Sequence, residues 1–417
     1  MSSEWDWVRL GDYCSKIGSG ATPTGGKDSY LDSGPFCLIR SQNIYNDGFS
    51  PSGLAYISPE QAKKLDGVLV EENDVLLNIT GDSVARVCLA IAKHLPARVN
   101  QHVAIIRPFA DKFDSRFLRY FLASPYQQDI MLGMAAAGAT RNALTKVMIE
   151  NFKVPRPPLE VQIKIADVLS ALDDRIALLR ETNTTLEAIA QALFKSWFVD
   201  FDPVHANAGT QAPSLPAEIQ ALFPSRLVES PQGLIPEGWE VGVLGDVAET
   251  SRKQVKPEQL SNETLYVGLE HIPRKQLGLD SWGTAKELAS AKSTFERNDI
   301  LFGKLRPYFH KVVIAPFEGV CSTDILACKA KHTSYHQYVA MQLFSDELIA
   351  YADRLSNGAK MPRIGWKDLA AYEVVIPPIE IPEKFSAIAE PMIGRILANV
   401  EKAQTLANLR DTLLPRL

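Results

Sequence analysis

The sequence predicts an α+β protein made of two repeated mixed α/β units. Each unit is followed by a long helix, and the two helices are expected to pair as an antiparallel coiled coil. Three observations predict this. The chain repeats itself, each repeat closes on a double proline, and an unbroken heptad seam follows the first of those prolines.

Four blocks recur in the same order. "WDWVRLGD" at residues 5–12 matches "WEVGVLGD" at an offset of 234. "VEENDVLL" at residues 70–77 matches "FERNDILF" at 225. "GAT" at residue 138 matches "GAK", and "VPRPPLE" at residue 154 matches "VVIPPIE", both at 220. Arg175 and Arg395 then align without a gap. A drift this small and one-directional marks a duplication. A length of 417 residues fits two or three domains. The expected boundaries are 1–156 and 236–376 for the globular units, 157–200 and 377–417 for the helices, and 201–235 for a proline-rich connection.

Within the first unit, "PFCLIRSQNI", "DVLLNIT" and "QHVAIIRP" read as short strands. "DSRFLRYFLASPYQQDIM" reads as one or two helices, with "YHQYVAMQLFSDELIAYADRL" as its counterpart. Pro157 and Pro158 set the start of the first long helix, because proline is tolerated in a helix's first turn. Helical from 159 to 199, it would be roughly 60 Å long at 1.5 Å per residue. Leu169, Leu172, Ile176, Leu179, Asn183, Leu186, Ala190, Leu193 and Trp197 keep 3-4 spacing throughout, as a coiled-coil face does. Asn183 is a polar seam residue able to fix register. The second seam is Ile393, Ile396, Val400, Ala403, Ala407, Arg410 and Leu414, flanked by Leu406 and Leu413. It is weaker, with alanines and an arginine. Ile163, Val168, Leu178, Ile189, Phe194, Leu397 and Leu409 are apolar off the seam, so they call for a further partner. Residues 201–237 carry six prolines and read as a linker or wrapped connection.

Composition narrows the function. No apolar run reaches the roughly 18 residues of a membrane helix, and the N-terminus lacks a signal-peptide pattern. Five widely spaced cysteines without a CxxC pair argue against a disulfide framework or zinc site and fit a reducing cytoplasm. The formal net charge is −5. The two globular units are near neutral, so the negative charge lies in the helices and the connection.

Enzyme motifs fail one by one. "IGSGATPTGGKDSY" at residues 17–30 resembles a phosphate loop, but Lys27 comes one place late and Asp28 occupies the Ser/Thr position. Pro23 also removes an amide donor. Gly18, Gly20 and Gly25 do not fit G-x-G-x-x-G. HExxH, GxSxG and HxE…PCxxC are absent. The prolines in "RPPL" and "IPPI" lack the polar and aromatic residues of an adenine-methyltransferase loop. Asp74 and Asp299 stand singly in "ND" pairs, which read as turns. No metal site or catalytic site emerges. Two similar readers on a helical spacer suit a two-part target such as DNA half-sites roughly 34–36 Å apart. A duplicated protein-interaction scaffold without DNA remains the alternative.

Specific motifs sharpen the choice. The repeated "W…LGD", "G-x-TP" at residues 20–23 and the unit exits "VPRPPLEVQIKIADVLSALDDRI" and "VVIPPIEIPEKFSAIAEPMIGRI" are the first of these. "LEAIAQALFKSWFVDFDPV" and "LFP…G-IPEGW" add to them. Together, over essentially the whole chain, they resemble the specificity subunit of type I restriction–modification systems. The Glu-Gln that usually follows the prolines is displaced here: Val161–Gln162 follow Glu160, and Ile381–Pro382 follow Glu380. The resemblance implies two target recognition domains, each reading one half of an asymmetric bipartite site in double-stranded DNA. It implies helices that act as a ruler and dock two methyltransferase subunits, which carry S-adenosylmethionine. Two motor-nuclease restriction subunits, using ATP and magnesium, would complete the complex. The chain itself would hold no cofactor and catalyse nothing.

Base reading needs donors and acceptors on projecting loops. In the first domain the candidates are Arg40, Gln42 and Asn43; Asn78, Thr80 and Arg86; Asn100, Gln101 and His102; and Arg141 and Asn142. In the second they are His271, Lys304, Arg306, Tyr308, Lys311, Thr323, Lys360 and Arg363. Partner contact and helix pairing fall to Leu172, Ile176, Leu179, Leu186 and Leu193, with Ile396, Leu406 and Leu413.

Overall fold

The computed structural model describes residues 5–136, 143–251, 253–358 and 360–414. The chain divides into two compact units, residues 1–176 with 405–417, and residues 177–404. Both divisions fall inside the long helices rather than at the prolines, because each helix half packs on its own globular body.

In the first unit, one antiparallel sheet runs Cys14–Ser19, Val103–Pro108, Val75–Asn78, Val87–Leu89. A second runs Ala55–Ile57, Phe36–Ile39, Ala97–Val99, Leu69–Val70, with the middle pair parallel. The second unit repeats both orders. Its first sheet is Ala248–Thr250, Ile325–Ala330, Ile300–Gly303, Val312–Ile314. Its second again holds one parallel pair, Leu265–Val267 with Gly319–Cys321, and gains an edge strand. The duplication read from sequence is therefore a duplication of topology.

The repeated motifs have matching work. The "W…LGD" strand Trp7–Arg9 pairs antiparallel with the exit strand Lys153–Pro155, and Glu240–Val243 pairs with Glu373–Ile376. Each unit is thus closed just before its prolines. The "ND" pairs are turns, as expected. Asn73 and Asn298 both take a left-handed φ, of 66° and 71°. Asp74 and Asp299 then accept from the backbone N–H of Glu71 and Glu296 at 2.7 and 2.8 Å. Both aspartates are buried. In the glycine-rich stretch, Gly20 donates to Asn100 O at 3.1 Å, and a Cβ there would lie 1.7 Å from Val99 O. That glycine serves close backbone packing, not phosphate.

The first long helix is Leu159–Phe198 and the second Glu380–Leu413. Gln162, two places after Glu160, is buried at the start of the first. It accepts from Asp114 N at 3.0 Å and donates to Lys112 O and Pro157 O. The displaced glutamine therefore pins the helix start to its domain. Within the first unit, Arg410 donates to Asp173 at 2.7 Å and Leu414 joins Leu169 and Tyr120 in one apolar cluster. Within the second, Asn183 donates to Ile396 O at 3.2 Å and Asn399 donates to Asn183 at 2.8 Å. Phe385 there meets Phe194 and Trp197. In both units rising numbers on one helix meet falling numbers on the other, so the paired segments run antiparallel. Ile176, Leu179 and Ile396 are buried, while Leu172, Leu186, Leu193, Leu406 and Leu413 are half-buried.

One expectation changes. Ile163, Val168, Leu178, Ile189 and Leu409 are exposed off the seam, but Phe194 is buried in the core of the second unit. Leu397 is half-buried against that core. Of the two readings of the proline-rich segment, linker or wrapped connection, the structure has the second. The segment forms Asp202–Asn207, Ala217–Gln220 and a hairpin of Leu227–Ser230 with Gly233–Pro236. Phe201, Val204 and Phe223 bury beside Trp197 and Trp239. No described helix is long and apolar enough to cross a membrane.

Candidate nucleic-acid interface

The polar clusters of the first unit converge. Strand Val75–Asn78 leads into a loop that returns as Val87–Leu89, and that loop carries Thr80 and Arg86. Asn78 is buried and donates to Ser41 O at 2.9 Å and to Ser83 at 3.1 Å. This ties the "RSQN" turn to the hairpin. Thr80 shares a hydrogen bond with His102, and Gln101 Nε2 lies 2.8 Å from the ring's other nitrogen. Arg40 donates to Gly53 O and stands over the Tyr30 ring; Gln42 donates to the same carbonyl at 3.0 Å. Arg86 stands over Tyr45, 4.8 Å from its centroid. Arg141 and Asn142 lie outside the described residues. The chain resumes at Ala143, which bridges to Thr80.

The second unit builds the same place from different residues. Its hairpin tip joins Ile300–Gly303 to Val312–Ile314. Lys304 N donates to Asp324 O at 3.0 Å, and Arg306 N to Pro362 O at 2.8 Å. Arg306 has a left-handed φ of 51° and donates through its guanidinium to Lys360 O. Arg363 grips Asp324 with two nitrogens, at 2.8 and 3.2 Å. Lys311 donates to Leu269 O, and partial burial pushes its pKa down. Tyr308 is 51% exposed; Thr323 and Lys360 are exposed as well. The bridge Leu305–Arg363 falls at offsets of 225 and 220 from Thr80–Ala143, matching the two ends of the sequence repeat.

Four candidates take another role. Asn43 accepts from Arg40 N at 3.0 Å, and its amide donates to Ser50 O. His271 does the same work in the second unit, its Nδ1 accepting from Gly268 N at 2.9 Å. Asn43, Asn78 and Asn100 are all buried. Asn100 accepts from His102 N at 3.0 Å. These four side chains, expected to face DNA, instead hold the loops in shape; for the three buried asparagines the reason is that a buried amide must make its hydrogen bonds inside the fold. Arg274 and Lys275, absent from the candidates, sit beside the same tip. Arg274 lies 4.0 Å from the Phe309 ring centroid, and Lys275 N donates to His310 O at 2.9 Å. The adjacent basic pair in "IPRKQLG" was the available signal.

The tips are rich in hydrogen-bonding side chains. Hydroxyl, amide, imidazole and guanidinium groups gather there, able to donate and accept toward base edges or phosphates. No group of three metal-ligating side chains occurs among the described residues. The cysteines are free thiols. Burial pushes Cys14, Cys88 and Cys321 up to about 12, which leaves them unreactive.

Two copies of one sheet pair, each feeding a long helix and each gathering polar loops at one hairpin tip, define a duplicated recognition protein. The chain belongs to the family described as type I restriction modification DNA specificity domain, whose model matches residues 2–188 and 236–410. It is 27% identical to the type I restriction enzyme MjaIX specificity subunit of Methanocaldococcus jannaschii, covering 100% of this chain and 93% of that relative. It is 25% identical to the HindI specificity subunit of Haemophilus influenzae, covering 91% and 93%. The crystal structure of a type I restriction–modification S subunit from M. genitalium shares the fold. Its TM-score is 0.60 at 16% identity, with 100% of this chain and 97% of that one covered.

Proposed function

We propose that this chain reads an asymmetric bipartite site in double-stranded DNA, one half with each globular unit. The carrying observation is that one hairpin-tip site is built twice on the same scaffold, with the bridges Thr80–Ala143 and Leu305–Arg363 in equivalent places and different polar side chains around them. A shared scaffold with unlike chemistry suits two different half-sites. In the first unit, Arg40, Gln42, Thr80, Arg86, Gln101, His102, Arg141 and Asn142 are the reading residues. In the second they are Lys304, Arg306, Tyr308, Lys311, Thr323, Lys360 and Arg363. Asn43, Asn78, Asn100 and His271 position them.

The exposed apolar residues of the helices dock two methyltransferase subunits, which bring S-adenosylmethionine. Two restriction subunits bring ATP and magnesium. This chain supplies specificity and no catalytic group, and it works in the cytoplasm. Three things support this reading: the family membership, the doubled site, and apolar side chains left uncovered along otherwise charged helices.

The test is methylome sequencing of a host carrying this chain and its methyltransferase partner. A bipartite methyladenine motif is expected. Exchanging residues 236–376 for those of a relative is expected to change one half of the motif and leave the other. Methylation that ignores the exchange would refute the proposal and favour a scaffold without DNA recognition.

A further inference from the structure

Glu187 belongs to neither the seam nor any recognition loop, yet it is only 6% exposed. It lies on the first long helix within the second unit. Its carboxylate accepts from Leu277 N at 2.7 Å and takes a further backbone bond from Gly278. A buried carboxylate needs such bonds to offset its lost hydration.

The turn it holds leads directly to the hairpin tip. Leu277 O accepts from Ile314 N at 2.9 Å, and Gly278 bridges in parallel to Ile314. Ile314 ends the strand that returns from the tip. Just before the turn, Lys275 N donates to His310 O, and Arg274 covers the Phe309 ring. The second long helix presses on the turn from its own side. A Cβ on Gly278 would lie 2.7 Å from Val400 Cγ2 and 3.4 Å from Ile396 Cγ2. Residues 274–278 are therefore clasped by both helices and bonded to the tip.

The first unit carries no carboxylate at the equivalent helix position. The 220 offset places Ala407 opposite Glu187 in the repeat, and a methyl group accepts nothing.

We propose that Glu187 is a positioning residue for recognition by the second unit: it fixes the angle at which the 304–311 tip meets its half-site, with no direct DNA contact. This rests on the bipartite reading above. It goes further by assigning a one-sided specificity role to a helix residue.

The experiment uses the chain assembled with its methyltransferase partner, and duplexes carrying one altered base pair in one half-site at a time. Glu187→Ala, which removes the acceptor for Leu277 and Gly278, is expected to lower discrimination in the second half-site at least about tenfold. First-half discrimination should stay within about twofold, which also shows that the chain is folded. Glu187→Gln keeps an acceptor for Leu277 N and should restore most of the selectivity. Gly278→Ala, crowded by Val400, should repeat the one-sided loss even where Glu187→Ala fails to assemble. A wild-type complex without a bipartite motif would overturn both this inference and the reading beneath it. A bipartite motif with second-half selectivity unchanged in Glu187→Ala and Gly278→Ala, or with equal loss in both halves for Gly278→Ala, would overturn this inference alone.

Discussion

At the scale of single residues, burial decides what a polar side chain can do. Asn43 and His271 are different residues at equivalent turns, and each spends its acceptor on the backbone N–H three places earlier. That is a local-structure role carried out by two chemistries. Glu187 shows the cost of burying charge. Desolvation raises its pKa from 4.5 to about 6, against the two backbone bonds that lower it. An acid whose pKa is raised in the fold takes up its proton there first. The folded state is therefore favoured as pH falls through the window from about 6 to 4.5, and the benefit is absent above about 6. The group should add about 2 kcal/mol of stability on acidification. Unfolding free energies of the wild type and Glu187→Gln, compared across that window, should converge or cross by this amount. A constant difference between the two proteins would show that Glu187 does not titrate as described.

At the scale of elements, the long helices carry buried polar contacts at two places. In the first unit Asp173 accepts from Arg410 at 2.7 Å, from Tyr120 at 2.7 Å and from Arg119 at 3.0 Å. The arginine that weakened the second seam on paper is thus paired. In the second unit Asn183 and Asn399 bond to each other. Asn399 is buried, so removing its acceptor leaves a donor without a partner. Asn183→Leu or Asn399→Leu alone should cost about 1–3 kcal/mol, whereas the double replacement should be nearly neutral. Denaturant unfolding of the four proteins in a double-mutant cycle measures this coupling. Additive effects would mean the two amides stabilise the helices independently. The heptad was legible because its period is fixed by helix geometry. The Asn183 partner was not, since a seam in one segment says nothing about which residue of a distant segment lies across from it.

For the whole molecule, the charge balance sets how it meets DNA. The chain is formally −5, and some of its cations are engaged internally, as Arg363 is with Asp324 and Arg107 with Asp74. Acidic groups outnumber basic ones overall, so the methyltransferase subunits are expected to supply most of the positive clamp. The isolated chain should bind DNA weakly and lose at least about tenfold in affinity between about 50 and 200 mM salt. Fluorescence anisotropy with a labelled duplex tests this. Nanomolar binding by the lone chain that resists salt would show that its own loops carry the electrostatic contact.

The amino-acid order alone determined the duplication, the two long helices, the "ND" turns and the lack of a recognisable enzyme motif. Periodicity and turn chemistry are local properties, and a repeat needs only comparison of the chain with itself. The tertiary structure decided what the repeats could not. Trp7 and Trp239 open matching motifs, yet Trp7 is 50% exposed and Trp239 5%, because the proline-rich connection lays Phe201 and Phe223 against the second alone. Asn78 and Thr80 sit two places apart in one polar run. The first is buried to hold the loop, and the second stands half-buried beside His102. Nothing in the sequence marks Glu187; residues 274–278 bury it. Burial depends on what arrives from far along the chain, and that alone separates a side chain that shapes a recognition loop from one that is free to read with it.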